Sequence, residues 1–107
     1  MKILITGVFG FVGHNIFLNL KKKYDVIGLG RNSKIYDVKF NNRLKNQLIT
    51  KNSLVNLNFK PDIIIHCAGS GSVIKSIEDK KLDYDKNVKT SKEVLKFIEY
   101  LKKKPRV

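Results

Sequence analysis

The chain has 107 residues, enough for one small α/β domain and short for a two-domain enzyme. Its 42% hydrophobic and 29% charged content is globular rather than disordered, and its lone cysteine, Cys67, excludes an internal disulfide and fits a reducing, cytoplasmic setting. The net charge of +13 would suit nucleic acid, but the lysines are spread along the chain, tryptophan is absent, and no basic–aromatic interleaving marks a stacking platform, so the charge reads as solvated surface.

In chain order, Lys2 to Thr6 predicts a buried first strand. Met1-Lys2 followed by apolar residues imitates a signal-peptide core, yet no small-residue cleavage site follows, and the stretch reads as mature sequence. No apolar run approaches the roughly 18 residues of a membrane span.

Next comes Thr6-Gly7-Val8-Phe9-Gly10-Phe11-Val12-Gly13, with three glycines three residues apart between a strand and a helix. Gly7 suits the positive φ of a tight strand-to-helix turn, Gly10 has no Cβ to hold a pyrophosphate off the backbone, and Gly13 lets the helix lie close on the strand. The N–H groups that open the helix would face the phosphates, with the helix dipole favouring their charge. The context points to a dinucleotide site; the alternative is a glycine-rich turn in some other doubly wound protein.

Phe11 to about Lys22 predicts the first helix, with Phe11, Ile16, Phe17 and Leu20 inward, and Asp25 to Leu29 predicts a second strand. From Gly30 to about Thr50 the pattern weakens, leaving a poor strand somewhere between Asp37 and Leu48. Asn52 or Ser53 is the expected cap of a short helix through Leu54, Leu57 and Phe59, ended before Pro61. Asp62-Ile63-Ile64-Ile65-His66 is a fully buried strand of the parallel kind. Gly69 to Ser72 reads as loop. About Leu82 to Lys103 predicts a long helix with Tyr84, Val88, Ser91, Leu95, Ile98 and Leu101 on one face. Lys104-Pro105 ends it, and Arg106-Val107 reads as the beginning of another strand. Alternating strands and helices predict a parallel sheet with right-handed crossovers.

Three of these stretches together resemble the extended short-chain dehydrogenase/reductases, the family of NAD(P)-dependent nucleotide-sugar epimerases, dehydratases and reductases. They are Thr6-Gly7-x-x-Gly10-Phe11-x-Gly13, Asp62-x-x-x-His66-Cys67-Ala68-Gly69, and Asn87-Val88 with Thr90 and Val94-Leu95. The resemblance runs from residue 1 to 107. It implies a Rossmann-like doubly wound sheet, incomplete at about four strands in the order 3-2-1-4. It also implies that residues 1–107 are the amino-terminal portion of a dinucleotide-binding domain, with the substrate domain outside them.

Carried onto this chain, the resemblance implies that Gly7, Gly10 and Gly13 hold the pyrophosphate. Phe11 would open the helix, Val12 would reach a phosphate through its N–H, and Ala68 and Gly69 would line the nicotinamide-ribose side. His66 would anchor the strand end, Cys67 would be a small buried side chain rather than a nucleophile, and Asn87 would help organise the active site. Many NAD-using relatives end the second strand with an acidic residue that binds the adenosine ribose. This chain has Gly30 there and Arg31 next, which suits a 2′-phosphate and favours NADP over NAD. Arg31 as an ordinary exposed loop residue is the alternative.

The family's catalytic Ser or Thr and its Tyr-x-x-x-Lys pair would follow a fifth strand. Tyr100-Leu101-Lys102-Lys103-Lys104 matches the pair by letter only, since it lies at the end of a helix with no Ser- or Thr-bearing strand ahead. The sequence therefore assigns no catalytic residue within 1–107, and with His14 and His66 as the only histidines it offers no metal cluster. The full-length parent would act on a nucleotide sugar by hydride transfer, in a monomer or a homodimer. A non-catalytic NADP-sensing or partner-binding protein is the second reading, and a basic nucleic-acid module the third. Without further strands, the one at Asp62 to His66 would be left as an apolar edge prone to pairing.

Overall fold

The computed structural model describes residues 1–31, 43–68 and 88–107. Four strands form one parallel sheet: β1 (Lys2–Thr6), β2 (Asp25–Gly30), β3 (Leu44–Asn46) and β4 (Ile63–His66), in the order β3-β2-β1-β4. The helices are α1 (Phe11–Leu20), α2 (Lys51–Asn56) and α3 (Thr90–Tyr100). The expected doubly wound sheet and its strand order are therefore present.

The two-residue period of the strands sorts their side chains into two cores. Ile3, Ile5 and Val26 pack with Phe17 of α1 on one face, joined by Val8, Phe9 and Leu44. Leu4, Ile27, Leu29 and Ile64 pack on the other face with Leu54 of α2 and Val94, Phe97 and Leu101 at α3. β1 lies between β2 and β4, paired from Lys2 opposite Asp25 to Thr6 opposite both Leu29 and His66. Its apolar run Ile3-Leu4-Ile5 is buried on both faces, which explains the absence of alternation.

Several boundaries differ from the sequence reading. Phe11 is not inward: it opens α1 with 71% of its surface exposed, while Phe17 is buried and Ile16 and Leu20 pack beside it. The poor strand is the three-residue β3, and residues 37–42 of its expected range lie outside the described residues. The cap of α2 is Thr50, not Asn52 or Ser53. Its hydroxyl accepts from the Ser53 N–H at 3.1 Å, and the Ser53 hydroxyl accepts from the Thr50 N–H at 3.0 Å. Threonine at the cap with serine at the third helical position makes the reciprocal box without the usual glutamate, so the pattern was easy to miss. Asn58 leaves the helix with a positive φ of 51°, which asparagine tolerates, and Phe59 is buried beyond the helix rather than in it.

The long last helix is α-helical over Thr90–Tyr100, while residues 82–87 of its expected range, with Leu82 and Tyr84, and the Gly69–Ser72 loop lie outside the described residues. Its inward stripe is Val94, Phe97 and Leu101 with Ile98 alongside; Leu95, expected inward, is 58% exposed. Steps of three and four from Ser91 fit either 94 or 95, and packing on Ile64 and Leu54 chose Val94. Helical geometry ends at Tyr100, short of Lys103, because Leu101 is already extended. The Lys104 ammonium donates to the carbonyls of Ile98, Glu99 and Leu101 at 2.9, 2.9 and 2.6 Å, capping this end with positive charge.

Arg106 does start a further pairing. Its N–H donates to the Asp62 carbonyl at 3.0 Å and its carbonyl accepts from the Ile64 N–H at 2.6 Å, as a parallel bridge to Ile63. The free edge of β4 is thus partly covered by residues of this same chain.

Candidate dinucleotide-binding turn

β1 ends at Thr6, and the chain turns over the carboxyl edge of the sheet into α1. Gly7 takes a φ of +72°, and its N–H donates to the Leu29 carbonyl at 2.8 Å. A Cβ at Gly7 would stand 2.6 Å from the backbone of Cys67 and Ala68, so only glycine lets the turn touch the end of β4. The Gly10 N–H donates back to the Gly7 carbonyl at 3.1 Å and closes the turn. At Gly13 an added Cβ would press on the Gly7 carbonyl group and lie 3.1 Å from the Val8 Cα, so the first turn of α1 rests directly on the loop. Val8 and Phe9, between the glycines, are fully buried and pin the loop from below. The sequence reading treated those two as spacers; their apolar character between two glycines was the available signal.

The cap of α1 is Gly10, which offers no side chain to the helix start. The N–H groups of Phe11, Val12 and Gly13 have no carbonyl partner one turn back, as in any first helical turn. Gly10, Phe11 and Val12 are exposed, and a Cβ at Gly10 would meet only the Gly7 carbonyl oxygen at 3.4 Å before open space. Polarised N–H groups beside an open, Cβ-free surface at a helix start suit a pyrophosphate. The structure brings Gly7, Gly10, Phe11, Val12, Gly13 and Ala68 to this one edge of the sheet. Arg31 follows β2 at the same edge and is exposed. Gly30 before it is buried: a Cβ there would lie 3.3 Å from the Val8 nitrogen and 3.4 Å from the Gly7 Cα. Gly69 and Asn87 lie outside the described residues.

The second motif ties β4 to β1 at both ends. At the amino end the Lys2 N–H donates to the Asp62 carboxylate at 2.8 Å, and that bond, aided by the Lys103 ammonium at 3.4 Å, holds the carboxyl below its usual range. At the carboxyl end His66 Nδ1 lies 2.6 Å from the Thr6 hydroxyl, and Nε2 lies 3.1 Å from the Ser91 hydroxyl of α3. Burial pushes the His66 pKa down, favouring a neutral ring. With both ring nitrogens engaged, His66 anchors the strand end, the role that the family resemblance implies. Thr6 and Ser91 were not recognised as its partners, because 60 and 25 residues separate them from it. Burial also raises the Cys67 thiol pKa, which leaves little thiolate for nucleophilic work.

Tyr100 sits beyond the amino end of β4, near Lys60 and Asp62, at the edge opposite the glycine turn. Lys104 is engaged with the carbonyls of Ile98, Glu99 and Leu101 at the end of α3. Among the described residues no group of three or more His, Cys, Asp or Glu side chains is placed to hold a metal, and no helix is long and apolar enough to cross a membrane.

Comparison with known proteins agrees with this geometry. The chain is similar to the UDP-glucose 4-epimerase of Thermus thermophilus solved in complex with NAD: 25% identity and a TM-score of 0.75 over 94% of this chain and 34% of that one. It resembles in fold the UDP-glucose 4-epimerase of Thermotoga maritima solved with UDP-glucose, at 24% identity and a TM-score of 0.71 over 94% of this chain and 35% of that one. The Bordetella bronchiseptica enzyme WbmF, solved with NAD+, shares the fold at 18% identity and a TM-score of 0.71 over 94% of this chain and 33% of that one. The chain spans about a third of the length of these structures. No curated protein sequence matches it. The family model described as NAD dependent epimerase/dehydratase family matches residues 3–107, and the chain belongs to that family.

Proposed function

We propose that residues 1–107 are the dinucleotide-binding portion of a nucleotide-sugar epimerase, dehydratase or reductase, and that the dinucleotide is preferentially NADP. The observation that carries this reading is the glycine turn: an uncapped helix start, open at Gly10, at the carboxyl edge of β1 where doubly wound sheets bind their ligands. Support comes from family membership and from the NAD and UDP-glucose named with the similar structures.

When bound, the dinucleotide supplies a hydride acceptor or donor toward a sugar carbon. The residues in hand would bind and orient it. The N–H groups of Phe11, Val12 and Gly13 would meet the pyrophosphate, Ala68 and Gly69 would flank the nicotinamide ribose, and Arg31 would grip a 2′-phosphate. Gly30 supports the NADP preference. It presents no carboxylate to a ribose 2′-hydroxyl, and its backbone is crowded by Val8 and Gly7. The acid–base groups of the reaction would belong to residues outside 1–107.

The test is a titration of the full-length protein with NADPH and NADH, followed by fluorescence of the reduced nicotinamide. The wild type should bind NADPH more tightly, and Arg31→Ala should weaken NADPH by about tenfold through loss of a charge-assisted contact while sparing NADH. Equal or tighter NADH binding by the wild type would overturn the NADP assignment, and binding of neither would overturn the dinucleotide reading.

A further inference from the structure

We propose that Gly28, in the middle of β2 and outside the glycine turn, is a positioning residue for the dinucleotide, because its missing Cβ is the notch into which Val8 locks the turn. This rests on the dinucleotide reading above and adds a residue to it.

The two-residue period of β2 puts Val26, Gly28 and Gly30 on the face that carries α1, with Ile27 and Leu29 on the other. Val26 fills its place in the core. Above Gly28 the space is taken by Val8, which is fully buried. A Cβ on residue 28 would lie 2.7 Å from the Val8 Cβ and 2.9 Å from its Cγ1, with Cγ2 nearer still. Because the Val8 Cβ is itself among these atoms, no rotation about χ1 relieves the overlap; the backbone of residue 8 has to move. Valine is also stiff at χ1, so the fit is between two rigid shapes.

That backbone belongs to the phosphate-facing turn. Gly7 N–H donates to the Leu29 carbonyl, one residue along from the notch, and the Gly7 carbonyl receives the Gly10 N–H. The start of α1 rests on the same atoms, since a Cβ at Gly13 would lie 3.0 Å from the Gly7 carbonyl carbon and 3.1 Å from the Val8 Cα. Lifting Val8 off β2 therefore displaces Gly7, the Gly10 N–H and the first turn of α1 together. It also changes the spacing to Gly30, whose Cβ position is 3.3 Å from the Val8 nitrogen. The notch sets the height of the turn above the sheet, and with it the distance between the pyrophosphate end and the adenosine-ribose end of the cleft.

The experiment uses the full-length protein with Gly28→Ala, Val8→Ala and the double variant, reading dissociation constants for NADPH and NADH alongside thermal unfolding. Gly28→Ala should bind dinucleotide about tenfold more weakly while still unfolding cooperatively, as overpacking at a rigid contact implies. The double variant, which removes the overlaps with Cγ1 and Cγ2 but keeps the one with the Val8 Cβ, should recover part of the lost affinity and bind at least about threefold more tightly than Gly28→Ala alone, the signature of coupled neighbours. A folded Gly28→Ala with wild-type affinity, or a folded double variant no better than the single, overturns the proposal. If Gly28→Ala does not fold, Val8→Ala decides: weaker binding by a folded protein upholds the lock, and unchanged binding overturns it. A wild type that binds neither dinucleotide refutes the functional reading itself, whereas a wild type that binds alongside indifferent variants refutes only the role of Gly28.

Discussion

The imidazole of His66 lies 2.6 Å from the fully buried hydroxyl of Thr6, on the face of the sheet that carries α3. Through the Ser91 hydroxyl at 3.1 Å the same ring reaches α3, so one side chain ties β1, β4 and a helix just beneath the glycine turn. A neutral ring donates from one nitrogen and accepts at the other. Burial holds its pKa below the ordinary 6.5. The unfolded chain therefore takes up a proton near pH 6.5 that the folded ring resists. Stability should be constant above that pH, fall as pH drops from 6.5 toward the folded value, and level below it. Asp62 and Glu93, whose pKa values lie below their ordinary 3.8 and 4.5, add acid sensitivity only in a lower window. Urea unfolding across pH 5 to 8 checks this, and His66→Gln should flatten the slope near 6.5 at a cost of about 1 kcal/mol for weakened hydrogen bonds. An unchanged slope in the variant would assign the pH dependence elsewhere.

The glycines of the turn should separate folding from binding. Gly7→Ala places a Cβ 2.6 Å from the β4 backbone at a positive φ and should cost at least about 3 kcal/mol, combining left-handed strain with displacement of the strand end. Gly10→Ala meets only the Gly7 carbonyl oxygen at 3.4 Å, so its unfolding midpoint should stay near wild type while dinucleotide affinity drops about tenfold. Calorimetric titration beside thermal melts distinguishes the two. Equal effects of both variants on stability would contradict the geometry of the turn.

The inward face of α3 is equally open to test. Phe97 is 2% exposed in the core with Leu4 and Ile64, and Phe97→Ala should destabilise by about 3–5 kcal/mol. Leu95 projects to solvent, and Leu95→Ala should change stability by less than about 0.5 kcal/mol. The reverse ranking in chemical denaturation would restore the face read from sequence.

At α2, Thr50→Ala removes the hydroxyl that receives the Ser53 N–H, which is one half of the reciprocal box. The expected loss is about 1 kcal/mol. Asn52→Ala should be near neutral, since Asn52 is an exposed second residue of the helix rather than its cap. Unfolding curves of the pair decide which residue begins the helix.

Strand existence was legible because a buried parallel strand is a short run of apolar residues whichever neighbour it pairs with, as in Ile3-Leu4-Ile5 and Ile63-Ile64-Ile65. The glycine turn was legible because its conformation and close contacts demand missing side chains at fixed spacing. Helix ends and faces were less so. Val94 and Leu95 are equally apolar and adjacent, and only packing against Ile64 and Leu54 separates them. Phe11 resembles a core residue by type, yet it opens α1 with most of its surface exposed. Gly28 was legible only in part, since a glycine inside a strand signals close approach without naming what approaches.

By itself the sequence determined the parallel α/β plan and the position of the glycine turn, because each rests on local spacing or residue type, while the anchoring role of His66 came from the family resemblance. Tertiary structure alone decided which distant groups complete them: Thr6 and Ser91 on the two nitrogens of His66, Ala68 against Gly7, and Val8 in the space left by Gly28. Such contacts join residues 20 to 61 positions apart, and they exist only once the sheet has ordered its strands as β3-β2-β1-β4.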